Sequence, residues 1–252
     1  MYQLQAALSC VILISMSGHN KWSKIHRKKG IADAERSNIY TKLGKEIIVA
    51  VKMGGSGDPE HNSKLKEVIA KAKSNNMPND NIKRAIAKGL GDGDASNYDA
   101  MVYEGYGPAG IAVIVEALTN NKNRTAGDVR SYFDKSGGAL GVSGSVSFLF
   151  NRLGVINVAD QTEDSLLEVL IDSPIEDMTS EDGMVTITVK PENFSAVLNV
   201  LEQNQIKTES AEVAWVPLST VAVPEDKAAA FERLIDNLES SDDVQAVYHN
   251  AE

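Results

Sequence analysis

The residues with the most chemical potential run from Gly18 to Lys29. Lys21, Lys24, Arg27, Lys28 and Lys29 place five cations beside one tryptophan, Trp22, with no carboxylate between them. On a helix, Lys21, Lys24, Arg27 and Lys28 fall at i, i+3, i+6 and i+7 and make one cationic face. Trp22, Ile25 and Ala32 share the other side. A helix of this kind docks by its apolar side and offers charge to a polyanion, of which phosphate backbone is the commonest. The same residues also describe an ordinary solvated basic helix, and a tryptophan such as Trp22 is more often core than a base-stacking platform. Arg36, Lys42 and Lys45 would support the contact from the next helix. A second cationic cluster, Lys122 and Arg124, stands just before Thr125 and Asp128, which have the spacing of a capping box. A helix start with these cations can hold a phosphate through its free N–H groups, or be a plain polar turn and cap.

Other chemistry is hard to find. His19, His26, His61 and His249 do not stand at metal-ligand spacing with Cys, His or Glu. No nucleophile elbow, Walker loop or H-E-x-x-H helix is present. Gly105–Gly110 is a literal G-x-G-x-x-G, but Pro108 sits inside it and a strand follows, so it reads as a hairpin loop. Asp92, Asp94 and Asn97 lack the sixth-position glycine and closing glutamate of a calcium loop. Glu176-Asp177, Glu181-Asp182 and Asp242-Asp243 read as solubility features, since nothing places a third ligand near them. The expectation is a non-enzymatic protein with no catalytic residues, no metal and no cofactor. A hydrolase with a carboxylate site assembled by the fold is the remote alternative.

The elements that must position these residues follow from charge and periodicity. The chain has 252 residues and net charge −10, a length that calls for two or three domains. Residues 1–90 carry 16 Lys+Arg and 7 Asp+Glu, net +9, and the remainder 9 and 28, net −19. A cationic first third on an acidic body gives one end that attracts polyanions and one that repels them. The single Cys10 excludes an internal disulfide framework. Residues 1–15 hold an apolar run too short to span a bilayer, without leading positive residues. They are read as a non-native or disordered extension.

Residues 16–90 read as a basic helical domain with stripes at Leu43, Ile47, Ala50 and Val51, at Leu65, Val68, Ile69 and Ala72, and at Ile82, Ala85 and Ile86. Strands are expected over 101–104 and 111–118. A helix should follow from Thr125 to Lys135. Next comes a hairpin of 145–150 with 154–158 across Asn151-Arg152-Leu153. From Gly154 the pattern is β-α-β-β-α-β, the ferredoxin-like split unit. A helix over 225–239 and a strand over 244–249 close the chain. The fold class is therefore α+β, a helical bundle followed by two α/β domains. Residues 144–216 form a ferredoxin-like domain inserted in a discontinuous acidic domain of 91–143 plus 217–252.

Ser17-Gly18-His19-Asn20-Lys21-Trp22 and Ile25-His26-Arg27-Lys28 resemble the start of the YebC/PmpR family, which includes the mitochondrial translational activator of cytochrome c oxidase. The resemblance continues through Tyr40–Ile47, Asn75–Pro78, Tyr103–Pro108, Asn121–Thr125 and Asp243–Asn250. It covers nearly everything from Met16 onward. The family's three-domain layout is similar to the division above. The resemblance implies a regulator of gene expression, labelled transcriptional in some members and acting as a translation factor at the ribosome in others. The expected partner is nucleic acid, either duplex DNA or ribosomal or transfer RNA at difficult stretches such as consecutive prolines. Protein partners would meet the acidic domains, no membrane is involved, and the compartment is the cytoplasm. Lysine reads charge rather than base or sugar, so the residues alone leave DNA and RNA open.

Overall fold

The apolar stripe Leu43, Ile47, Ala50 and Val51 lies on a helix, α1 (Asp33–Gly54), and is fully buried. The computed structural model describes residues 33–91 and 98–252. Helices α2 (Ser63–Ser74) and α3 (Asn79–Leu90) pack on that stripe through Leu65, Val68, Ala72, Ile82 and Ala85. A Cβ on Gly89 would stand 2.8 Å from the Val51 side chain, so glycine lets α3 approach α1 closely. Asn62 caps α2 by accepting from the Leu65 N–H, and its amide donates to the Ala50 and Ser56 carbonyls. One side chain thereby starts α2 and ties the preceding turn to α1.

The rest of the chain builds two four-stranded antiparallel sheets. The elements are β1 (Asp99–Tyr106), β2 (Ala112–Thr119), α4 (Lys122–Lys135), β3 (Ala139–Leu140), β4 (Phe150–Ala159), α5 (Glu163–Leu170), β5 (Ile175–Glu181), β6 (Met184–Val189), α6 (Phe194–Gln203), β7 (Ser210–Pro217), α7 (Glu225–Ser240) and β8 (Val244–His249). The first sheet has the order β3-β1-β2-β8 and the second β5-β6-β4-β7. The second, with its order of elements, is the expected ferredoxin-like unit. The chain leaves the first sheet after β3 and returns to it in β8. The architecture is α+β.

Three apolar layers hold this part together. Val113, Val115 and Ala117 of β2 pack against Val129 and Phe133 of α4 and Phe231, Leu234 and Leu238 of α7. Ile156, Val158, Val185 and Ile187 pack against Leu166 and Leu170 of α5 and Val197 and Leu201 of α6. Between the sheets lie Ala112, Ile114 and Tyr248 from one and Val155, Ala214 and Val216 from the other. The first half of β2, Ala112–Val115, is thus buried on both faces, which explains its apolar run before Glu116.

One expectation about the connections is met and one is corrected. The G-x-G-x-x-G stretch does connect an antiparallel hairpin, with Tyr106 opposite Ala112. The hairpin expected across Asn151-Arg152-Leu153 does not form, because Phe150–Ala159 is one strand. It pairs with β7 from Phe150↔Pro217 to Asn157↔Ser210 and with β6 from Gly154↔Val189. None of those three residues has positive φ, as a tight hairpin turn requires. Arg152 instead lies over the Trp215 ring at 5.6 Å and 3.6 Å from Glu116, while Trp215 Nε1 donates to Glu116 Oε1 at 2.9 Å.

Glu104 organises the loop between β3 and β4. Its buried carboxylate accepts N–H groups from Gly144, Val146 and Ser147, each at 2.8 Å. Burial raises its pKa, but the three donors outweigh that and hold it below the usual carboxylate value. Glu104→Gln keeps the shape and removes the charge. It should cost about 1–3 kcal/mol in urea unfolding and speed amide exchange at Gly144, Val146 and Ser147 relative to β2.

Candidate nucleic-acid interface

Six of the candidate residues, Lys21, Trp22, Lys24, Arg27, Lys28 and Lys29, lie outside the described residues. Arg36 is exposed on the second turn of α1. On the same helical unit, Lys73, Lys83 and Lys88 are exposed with no hydrogen bond or ion pair among the described residues. Lys64, Lys66 and Lys71 are partnered by Glu67, Glu60 and Glu46.

Lys42 and Lys45 face inward. Lys42 Nζ donates to the Glu239 carbonyl at 2.6 Å. Burial lowers its pKa even though Glu239 and Asp242 work in the opposite direction. Lys45 is 9% exposed and donates to Asp243 Oδ1 at 2.6 Å and to the Asp242 carbonyl at 2.8 Å. One turn earlier, Asn38 Nδ2 donates to the Ser240 carbonyl at 2.8 Å. The two lysines read as supporting phosphate contacts therefore join α1 to the end of α7 in this structure. They carry charge, but to an internal partner.

Asp243, read from the sequence as a solubility feature, is the centre of this junction. Besides Lys45, its carboxylate accepts from Arg124 at 2.7 Å and from the Thr125 hydroxyl at 2.8 Å. Burial pushes its pKa up, and the bonds from Lys45, Arg124 and Thr125 pull it further down, to about 2. These partners are 198, 119 and 118 residues away in sequence. No local pattern could have brought them together.

The start of α4 is also rearranged relative to expectation. Its cap is Asn121, whose Oδ1 accepts from the Arg124 N–H at 3.1 Å, and not Thr125. Thr125 sits inside the helix, and its hydroxyl is spent on Asp243 and Thr119. Arg124 remains half-exposed and also reaches Asn120 Oδ1 at 3.3 Å. Lys122 is paired with Asp99 at 3.3 Å, both partly exposed. The structure thus brings Lys45 and Arg124 together on one carboxylate and leaves Lys122 on a separate surface pair. Among the described residues, no group of three His, Cys, Asp or Glu side chains could hold a metal ion. No described helix is long and apolar enough to cross a membrane.

Comparison with known proteins bears on what this arrangement is for. Residues 20–92 match the profile described as the TACO1/YebC protein N-terminal domain, and residues 98–251 the TACO1/YebC second and third domain. A protein of Finegoldia magna is 52% identical over 93% of this chain and 98% of its own length. One of Clostridium beijerinckii is 50% identical over 94% and 97%. Both bear the name probable transcriptional regulatory protein. The crystal structure of a conserved hypothetical protein of Aquifex aeolicus superimposes with a TM-score of 0.81. It has 42% identity and covers 92% of this chain and 96% of that one.

The junction makes two predictions. Asp243→Ala leaves the Lys45 ammonium buried without its carboxylate, and should cost about 3–5 kcal/mol in chemical unfolding. Acid should act in two stages. His249 is buried, which lowers its pKa to about 4. Its neutral form is favoured by folding, so it adds stability above about pH 6.5 that is lost as pH falls toward 4, about 3 kcal/mol in all. Asp243 follows, its contribution of about 2 kcal/mol disappearing between about pH 4 and 2. Urea midpoints measured across pH 7 to 3 check this, and His249→Gln should flatten the first stage only.

Proposed function

The chain belongs to the TACO1/YebC family, and we propose that it is a non-enzymatic, nucleic-acid-binding regulator of gene expression. The observation that carries this reading is the separation of charge, net +9 in residues 1–90 against −19 in the rest. The contact surface is the basic segment Lys21, Lys24, Arg27, Lys28 and Lys29 with Arg36, continued by Lys73, Lys83 and Lys88. Lys122 and Arg124 stand on the sheet side of the molecule as secondary contacts. The relatives' name favours transcription, hence duplex DNA. The acidic sheets repel the same polyanion and so orient the protein on it, leaving their own surfaces for protein partners.

A second reading, binding to ribosomal or transfer RNA in translation, is favoured by the kind of cation available. Lysine follows a phosphate backbone as a point charge, whereas guanine is read by the bidentate fork of arginine. Within the helical unit, Arg84 folds back on its own helix, donating to the Asp80 carbonyl at 3.2 Å and to Asn81. A ligand that docks on one abundant particle needs little base discrimination.

Binding should fall steeply with salt. Five or six neutralised duplex phosphates give a log–log slope of about −5, and Lys24→Glu/Arg27→Glu/Lys28→Glu should abolish binding with the melting curve unchanged. Competition against random DNA at physiological salt, beside gradient sedimentation of lysate, divides the two readings. At most about tenfold discrimination between DNA sequences, with protein in the ribosomal fractions, supports translation. A promoter fragment bound about a thousandfold better than random DNA, with no ribosomal association, supports transcription.

A further inference from the structure

Asn38, Lys42 and Lys45 stand at i, i+4 and i+7 on α1 and so share one helix face. All three are directed at one acidic stretch, Glu239–Asp243. Helix α7 has no basic residue in its last turn. Its terminal carbonyls lie at the negative end of the helix dipole with no cation of their own. Helix α1 supplies the missing donors. Lys42 meets the Glu239 carbonyl, Asn38 that of Ser240, and Lys45 the Asp242 carbonyl and the Asp243 carboxylate. Glu239 and Asp242 are exposed, and their carboxylates act on Lys42. To α1, this stretch presents what a phosphate backbone presents: acceptor oxygens and negative charge at successive helix turns.

The junction is polar. The buried apolar clusters of the helical unit and of the first sheet share no residue among the described ones. Tyr98, at the entrance to β1, packs against the helical cluster and lies 5.6 Å from Lys45 Nζ. Joints of this kind between units of one chain permit relative motion unless large and apolar. Lys42 is moreover incompletely compensated, since burial outweighs the carboxylates beside it and lowers its pKa. A phosphate would stabilise its charge further.

We infer that Glu239–Asp243 is an internal competitor for polyanions, holding Lys42 and Lys45 in the closed molecule and yielding them when a polyanion docks on the helical unit. The inference rests on the polyanion-binding reading above. Docking releases α1 from α7.

The test uses the full chain, with heparin and a labelled RNA duplex as probes. Glu239→Gln/Asp242→Asn removes two exposed charges beside Lys42 and leaves the buried Asp243 bonds in place. Glu225→Gln/Asp226→Asn removes the same charge from the exposed far end of α7. The first pair should bind both probes about threefold or more tighter, and the second less than about twofold. Equal tightening by the two pairs, or weaker binding by the first, overturns the inference while the polyanion reading stands. Failure of the unaltered chain to bind either probe at low salt overturns both. Opening is read separately, by fluorescence transfer between dyes at Met53→Cys and Ile171→Cys on a Cys10→Ser background. Both labelled positions are exposed, at 83% and 80%. Transfer should fall when heparin binds, and constant transfer with heparin bound overturns the inference.

Discussion

One carboxylate, that of Asp243, fixes how the pieces of this molecule meet. It collects an ammonium from α1, a guanidinium and a hydroxyl from α4, and it stands immediately before the strand that closes the first sheet. A buried carboxylate alone would cost several kcal/mol of lost hydration. Here donors from two helices supply that hydration, so the charge is tolerable only in the assembled molecule. Its neighbours inherit the constraint. The Leu118 N–H donates to the Asp243 carbonyl at 2.8 Å, which joins the end of β2 to the same turn. The register of β8 breaks at a bulge between Glu116 and Ala117. The turn before β8 is thereby committed to face α1.

The other buried polar groups are satisfied differently. Asn250 closes the far end of β8 by accepting the Ala112 N–H at 2.9 Å, while its own N–H donates to the Ala112 carbonyl. Glu104 needs no cation, because three backbone N–H groups converge on it, and it shapes a loop rather than a junction. His249 stays neutral against the edge of Phe231, with ring centres 5.0 Å apart. Among the described buried groups, Asp243 alone recruits full positive charges from elsewhere in the chain. That is why the seam between helical unit and sheet is electrostatic, whereas the two sheets meet over an apolar centre of Ile114, Phe150, Val155 and Val216, with the Glu116 contacts to Arg152 and Trp215 beside it.

Elements with strong periodicity were legible in the sequence. The stripes of α1, α2 and α3, the strand 244–249 and the split β-α-β-β-α-β unit could be read because each local pattern agrees with its burial. The pattern misled where tertiary partners overrode local signals. Thr125 and Asp128 have capping-box spacing, yet Asn121 starts the helix one turn earlier and Thr125 is drawn to Asp243. Asn151-Arg152-Leu153 looked like a turn because it interrupts an apolar run. In the strand both Asn151 and Arg152 are exposed, and Arg152 stacks on Trp215 of the neighbouring strand.

The charges were legible in kind but not in direction. Counting cations identifies a basic third of the chain, and nothing in a count separates Lys45, committed to Asp243, from Lys73, open to solvent. The difference arises from helix geometry. Residues 38, 42 and 45 share a face with one another and lie beside the buried stripe of 43, 47, 50 and 51. A lysine next to an apolar stripe is carried toward whatever that stripe packs near. Here that neighbour is the C-terminal end of α7, which has no basic residue in its last turn. A basic helix and an acidic helix end from opposite halves of the chain therefore complete each other. Among the described residues, Lys73, Lys83 and Lys88 stay exposed while Lys42 and Lys45 are taken up by the end of α7 and Asp243.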